Sequence, residues 1–140
     1  MNTTDLSPIP ANPDVDQYRK QAKELLAALK AHEEEALRSV RQFHPHWKSF
    51  AGLDREFKLS DAQLMVARRN GLESWPKFLK FIDSVVQPHS QVSEFEEAAD
   101  AVVRGDAAKL RAMLAANPGL VHAKSERVHN SQLIHYIGAN

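Results

Sequence analysis

Seven histidines are the side chains in this sequence best suited to acid–base or metal chemistry near neutral pH. His44-Pro45-His46 sets two imidazoles beside Trp47. A zinc site takes three or four ligands, and no cysteine or carboxylate lies at a matching spacing, so the pair reads as a surface helix end. His122, His129 and His135 converge only if the chain between them folds back. With no cysteine there is no disulfide, no thiolate nucleophile and no thiolate-held zinc or iron–sulfur centre. No Gly-x-Ser-x-Gly elbow occurs, and the glycines at 52, 71, 105, 119 and 138 are isolated, so no loop is built to cradle a phosphate. Arg68, Arg69, Lys77 and Lys80 form a small basic patch best read as a solvated face with helix-end arginines. No catalytic residue, metal or cofactor is expected. The rival reading is a small helical enzyme or metal- or ligand-binding domain with its pocket near His44, His46 and Trp47.

Charge narrows the partners. Eighteen basic residues balance eighteen acidic ones, and neither half of the chain is basic, so the clustered positive face of a nucleic-acid binder is missing. No run approaches the roughly 18 apolar residues that span a bilayer, and the N-terminus lacks a basic region followed by an apolar stretch. These features point to a soluble cytoplasmic protein that binds neither nucleic acid nor membrane.

The elements follow from periodicity. Residues 1–13, with three prolines among Asn, Thr and Ser, read as a flexible leader. Asp14 is a plausible N-cap for a helix whose stripe runs through Val15, Tyr18, Ala22, Leu25, Leu26 and Leu29. Glu33-Glu34-Glu35 opens a second helix that carries Leu37, Val40 and Phe43 and ends before Pro45, making an antiparallel pair with the first. Residues 45–58 have no clear period and form a partly buried connector. Ser60 and Gln63 have capping-box spacing for a third helix, which Asn70-Gly71 stops. Ser74 caps a fourth, with Pro76 in its first turn and Trp75, Phe78, Leu79, Ile82, Val85 and Val86 as its apolar face. Trp47 and Trp75 are expected to anchor the core.

Residues 87–93 carry the proline and small polar residues of a linker, and the internal boundary is placed there. Beyond it, Ser93 and Glu96 have capping-box spacing, and Phe95, Ala98, Ala99 and Val102 give a helix that Gly105 ends. Asp106 caps the next, with Leu110, Met113 and Leu114 turned inward until Asn117-Pro118-Gly119.

The stretch "AVVRGDAAKLRAMLAANPGLV", 101–121, resembles the helix-turn-helix of an ankyrin repeat, with Gly105-Asp106 at the turn. "QLIHYIGAN" resembles the start of a following repeat. The family's Thr-Pro-Leu-His stands here as Gln132, Leu133, Ile134 and His135, and only its Leu-His half is kept, as Ile134-His135. Ser131 would cap from one position earlier, and the family's turn glycine would fall at position 141. "LSDAQLMVARRNGLESWPKFLKFI" is similar to a helical segment ahead of ankyrin repeats in bacterial proteins. The resemblance implies that the His135 imidazole orients its loop by bonding backbone and neighbouring polar groups.

The expected architecture is all-α: a helical module over 14–86, continued over 94–140 by an incomplete ankyrin-like repeat stack. The expected function is non-catalytic protein recognition. Its polar contacts would come from an exposed tip at 124–130, through Lys124, Glu126, Arg127 and His129. Leu133, Ile134 and Ile137 are expected to pack on the preceding hairpin, leaving an apolar edge over 110–140 for a protein partner or a second copy of the chain. A further alternative makes the chain the N-terminal remnant of a longer ankyrin protein.

Overall fold

The computed structural model describes residues 9–10, 12–50, 56–127 and 129–139. Among them are six α-helices: α1 (Val15–Lys30), α2 (Glu34–Phe43), α3 (Leu59–Arg69), α4 (Trp75–Val86), α5 (Gln91–Arg104) and α6 (Ala107–Ala116). Short 3₁₀ helices occupy Trp47–Phe50, Pro118–Val121 and Leu133–Ala139, and no strand occurs among the described residues. The fold is all-α. No described helix is long and apolar enough to cross a membrane. The chain forms two compact units, 14–79 and 80–140, the latter joined by the described residues that precede Asp14; the division falls within α4. The expected linker at 87–93 contains the turn between α4 and α5.

Helix ends carry much of the local specification. Three of them close alike, with an amide just past the helix end bonded to the carbonyl five residues back: Glu33 to Ala28 at 3.0 Å, Leu72 to Ala67 at 3.0 Å, Asp106 to Ala101 at 2.9 Å. Each closure needs a left-handed residue, supplied by His32 (φ 57°), Gly71 (φ 81°) and Gly105 (φ 70°). Glycine has no Cβ to clash in that region, so only His32 is strained there.

In the first unit α1 packs against α3. Tyr18, Ala22 and Leu29 are buried on α1, as its stripe requires, and Leu29 joins Ala36, Val40, Phe43 and Met65 in a core cluster. Asp14 caps α1 by accepting the Asp16 amide at 2.9 Å. The expected capping box at Ser60 and Gln63 does not start the helix, which begins earlier. Lys58 is the N-cap of α3, and its amide donates to Asp61 Oδ2 at 2.8 Å. Asp61 sits three residues into the helix, where a carboxylate also meets the positive end of the dipole. Trp47 is a second correction. It is 37% exposed rather than a core anchor, and Phe50 and Phe57, stacked at 4.5 Å, pack on the core from this region instead. Trp75 is partly buried against Phe78, with ring centroids 5.6 Å apart. Leu53 lies outside the described residues.

In the second unit α5 starts earlier than expected. Ser90, not Ser93, is the N-cap, and its hydroxyl accepts the Ser93 amide at 3.0 Å. The added turn buries Val92. Glu96 is thereby no longer the capping partner and turns to a different task, described below. Lys109 Nζ pairs with Glu97 at 3.0 Å, while Asn117 Nδ2 reaches Glu94 at 2.9 Å, the pairing order of an antiparallel α5–α6 hairpin. Leu110, Met113 and Leu114 pack on the cluster of Phe95, Ala98, Ala99, Leu120, Leu133 and Tyr136, but no residue of α6 is buried. They are half-buried because packing reaches them from one side only.

Candidate functional site

Behind Val121 the chain turns back onto α5 and builds two adjoining features. The first is a cleft of about 410 Å³ between the start of α5 and residues 117–126. Val92 and Phe95 form apolar wall, Glu94 and Glu96 line the helix side, and Lys124 and Glu126 line the loop side. Asn117 holds one rim by donating to Glu94. A Cβ on Gly119 would approach Asn117 Oδ1 to 3.2 Å, so glycine leaves that amide group its place.

The second feature is the helix Leu133–Ala139. A 3₁₀ helix repeats every three residues, so its side chains fall into ridges i, i+3. Leu133 and Tyr136 form the buried ridge, 6% and 8% exposed, and the Tyr136 ring meets Phe95 edge-on at 6.1 Å. Ile134 and Ile137 form the next ridge and are 69% and 66% exposed. This overturns the expectation that Leu133, Ile134 and Ile137 pack together. In an α-helix Ile137 would lie over Leu133; the tighter winding moves it over Ile134 instead.

The loop 122–131 is closed by its own backbone: the Ser125 amide donates to the Ser131 carbonyl at 2.8 Å, and Asn130, in the left-handed region at φ 47°, donates to Arg127 at 2.9 Å. Lys124 and Glu126 are exposed at the cleft. Arg127 is not. Only 6% exposed, it points inward, with Nη2 3.4 Å from Glu96 Oε2 and its guanidinium 6.0 Å from the Phe81 ring centre. Expectation failed here because a buried carboxylate on α5 requires a cation, and Arg127 supplies it. Burial pushes the Glu96 carboxyl above the usual carboxylate range, and the Arg127 charge opposes that.

His129 is likewise turned inward. Its Nδ1 accepts the Ser131 amide at 3.1 Å, and Nε2 lies 3.4 Å from the Tyr136 hydroxyl. Burial, then the neighbouring charges of Arg127 and His135, lower its pKa to about 4. The Tyr136 hydroxyl is pushed up, chiefly by burial. His135 is exposed and takes the Gln132 amide on Nδ1 at 3.0 Å, capping the 3₁₀ helix. Gly105 and Asp106 stand at the α5–α6 turn, where the Asp106 carboxylate accepts the Lys109 amide at 3.0 Å.

No family model, curated protein or solved structure matches this chain.

The other histidine pair lies in the first unit. His44 is buried, its Nδ1 accepts the His46 amide at 3.1 Å, and its Nε2 lies 3.2 Å from Asp61 Oδ1. Both ring nitrogens thus have protein partners, and the His44 and His46 rings stand 6.3 Å apart. Among the described residues no three His, Cys, Asp or Glu side chains converge as a metal would require. Asp61 binds His44 and the Lys58 amide at once, which ties the end of α2 to the start of α3.

Ser125 and Tyr136 were not singled out by sequence reasoning, and Glu96 was read there only as the capping-box partner of Ser93. Glu96 had a legible signal: with Val92, Phe95 and Ala99 it occupies i, i+3, i+4, i+7 positions of one stripe, which puts a carboxylate on a face bound for the interior. Ser125 and Tyr136 had none beyond the 3₁₀ period itself.

Proposed function

We propose that the chain is a non-catalytic protein-recognition module, with the ridge Ile134 and Ile137 and the adjoining cleft as its contact surface. The exposure of those two isoleucines carries the reading. Covering a side chain of this kind is worth roughly 1.5–3 kcal/mol, so two on one ridge reward a protein surface that covers them. Lys124 and Glu126 at the cleft supply orienting polar contacts beside that apolar centre, the usual division of labour in an interface. The packing of Pro118–Val121 against Leu133–Ala139 joins the two features. In this reading the α5–α6 hairpin is the ankyrin-like unit that the resemblance implies, presenting its following loop.

The experiment is a displayed random-peptide library selected on the whole chain, followed by binding measurements on the parent and on Ile134→Asp/Ile137→Asp. Peptides that bind the parent and lose at least tenfold affinity for the variant support the reading. It fails if no selected peptide distinguishes the two and the parent is monomeric by light scattering.

A further inference from the structure

The loop that leads to the exposed ridge is closed through an imidazole. A backbone amide can only donate, so the Ser131 amide on His129 Nδ1 requires a lone pair there. The single proton of the neutral ring is then on Nε2, directed to the Tyr136 oxygen 3.4 Å away. A second proton would set an N–H against the Ser131 N–H and lose that hydrogen bond. It would also add positive charge beside the Arg127 guanidinium of the loop, with the His135 imidazole of the 3₁₀ helix as a further neighbour. Glu96, facing the cluster from α5, is already engaged by Arg127, so it offers the new charge little relief. Tyr136, the remaining titratable neighbour, stays neutral across the acid range because burial raises its hydroxyl further.

What the loop holds down matters as much. Leu133 and Tyr136 lie a few residues beyond Ser131 and are the buried ridge that completes the cluster with Phe95, Ala99 and Leu120. Tyr136 is at once core residue and acceptor of the His129 ring proton.

We propose that His129 is an acid-sensitive latch: the neutral ring keeps the described residues of 125–139 seated on α5, and its protonation releases them and uncovers the apolar surface of Phe95 and Leu120. The device is independent of the recognition reading, since it concerns how the segment is held and not what binds it. The folded-state pKa of His129 is depressed from 6.5 to about 4. A group of that sign stabilises the closed state fully above pH 6.5 and loses the contribution as pH falls toward 4.

The test is amide hydrogen exchange over residues 125–139 of the whole chain at pH 7 and pH 5, with rates corrected for intrinsic chemistry. Opening should rise about tenfold in the parent, the fold-change that this linkage allows after screening. His129→Asn keeps an acceptor for the Ser131 amide, cannot titrate, and should abolish the rise; His135→Asn should retain it. Equal protection of the parent at both pH values, or the same rise in His129→Asn, overturns the proposal. If His129→Asn does not fold, ring nitrogen NMR of the parent decides. Titration near pH 4 from the Nε2–H tautomer upholds the latch, and titration near 6.5 or the opposite tautomer overturns it.

Discussion

Arg127, from the loop, and Glu96, from the middle of α5, lie 3.4 Å apart with side chains only 6% and 13% exposed. Glu96 Oε1 is buried without a hydrogen-bond partner, so the pair is enclosed but not saturated. Enclosed pairs of this kind give back little net stability, yet breaking one strands a charge. Arg127→Ala alone should destabilise the chain by about 3 kcal/mol, and Glu96→Leu with Arg127→Met together by less than about 1 kcal/mol. Urea denaturation of both variants checks this; equal losses in the two would show that the pair stabilises by itself.

Glu96 and His129 act on stability in opposite directions with pH. The raised carboxyl pKa of Glu96 gives a contribution complete below 4.5 that is lost as pH rises through the folded value. The lowered pKa of His129 gives one complete above 6.5 that is lost toward about 4. Because the ring is partly exposed, screening cuts the latter to about 1–2 kcal/mol. Thermal melts from pH 4 to 8 should therefore show Glu96→Gln with a shallower fall on the alkaline side and His129→Asn with a shallower fall on the acid side. Reversed slopes would refute the assignment.

Neighbouring positions on the 3₁₀ helix should behave oppositely. Leu133→Ala removes a side chain that is 6% exposed and should cost about 2–4 kcal/mol, whereas Ile134→Ala, at 69% exposed, should cost under about 0.5 kcal/mol. Comparable costs would mean that the segment is wound as an α-helix.

Ile134→Asp should leave the melting curve unchanged while altering association. If a second copy covers the ridge, light scattering coupled to size-exclusion chromatography should show a parent dimer that the variant reduces to monomer. A parent that is monomeric at every concentration rules out self-association and leaves a different protein as the partner.

The three like helix ends predict opposite responses to glycine exchange. Gly105→Ala forces a Cβ into φ 70° with nothing within 4 Å to clash, so its cost is the backbone term alone, about 1 kcal/mol. His32→Gly relieves φ 57° and should raise stability by about 0.5–1 kcal/mol. Chemical denaturation of both single variants decides between relief and loss.

Much of this fold was legible in the chain. The stripe from Tyr18 through Ala22 to Leu29, the cap at Asp14, the stops at Gly71 and Gly105 and the cap at Asp106 are local features, and the structure has them where the sequence put them. Their physics is contained within one or two helical turns, so spacing suffices to read them. The N-caps of α3 and α5 were misread because each helix starts two or three residues before the expected cap, and burial of Val92 on α5 and the Asp61 bond to His44 on α3 favour the earlier start.

What the sequence alone could not assign is the direction in which the loop's charges face. Lys124, Glu126, Arg127 and His129 look alike in a polar run, and the chain folds them two outward and two inward. Only tertiary structure decides this, because the pull on Arg127 comes from a carboxylate 31 positions earlier, and that on His129 from a tyrosine seven positions later on a helix of three-residue period. Composition, charge balance and periodicity set an all-α chain with short capped helices; the long-range pairing of two buried opposite charges decided which loop residues remain at the surface.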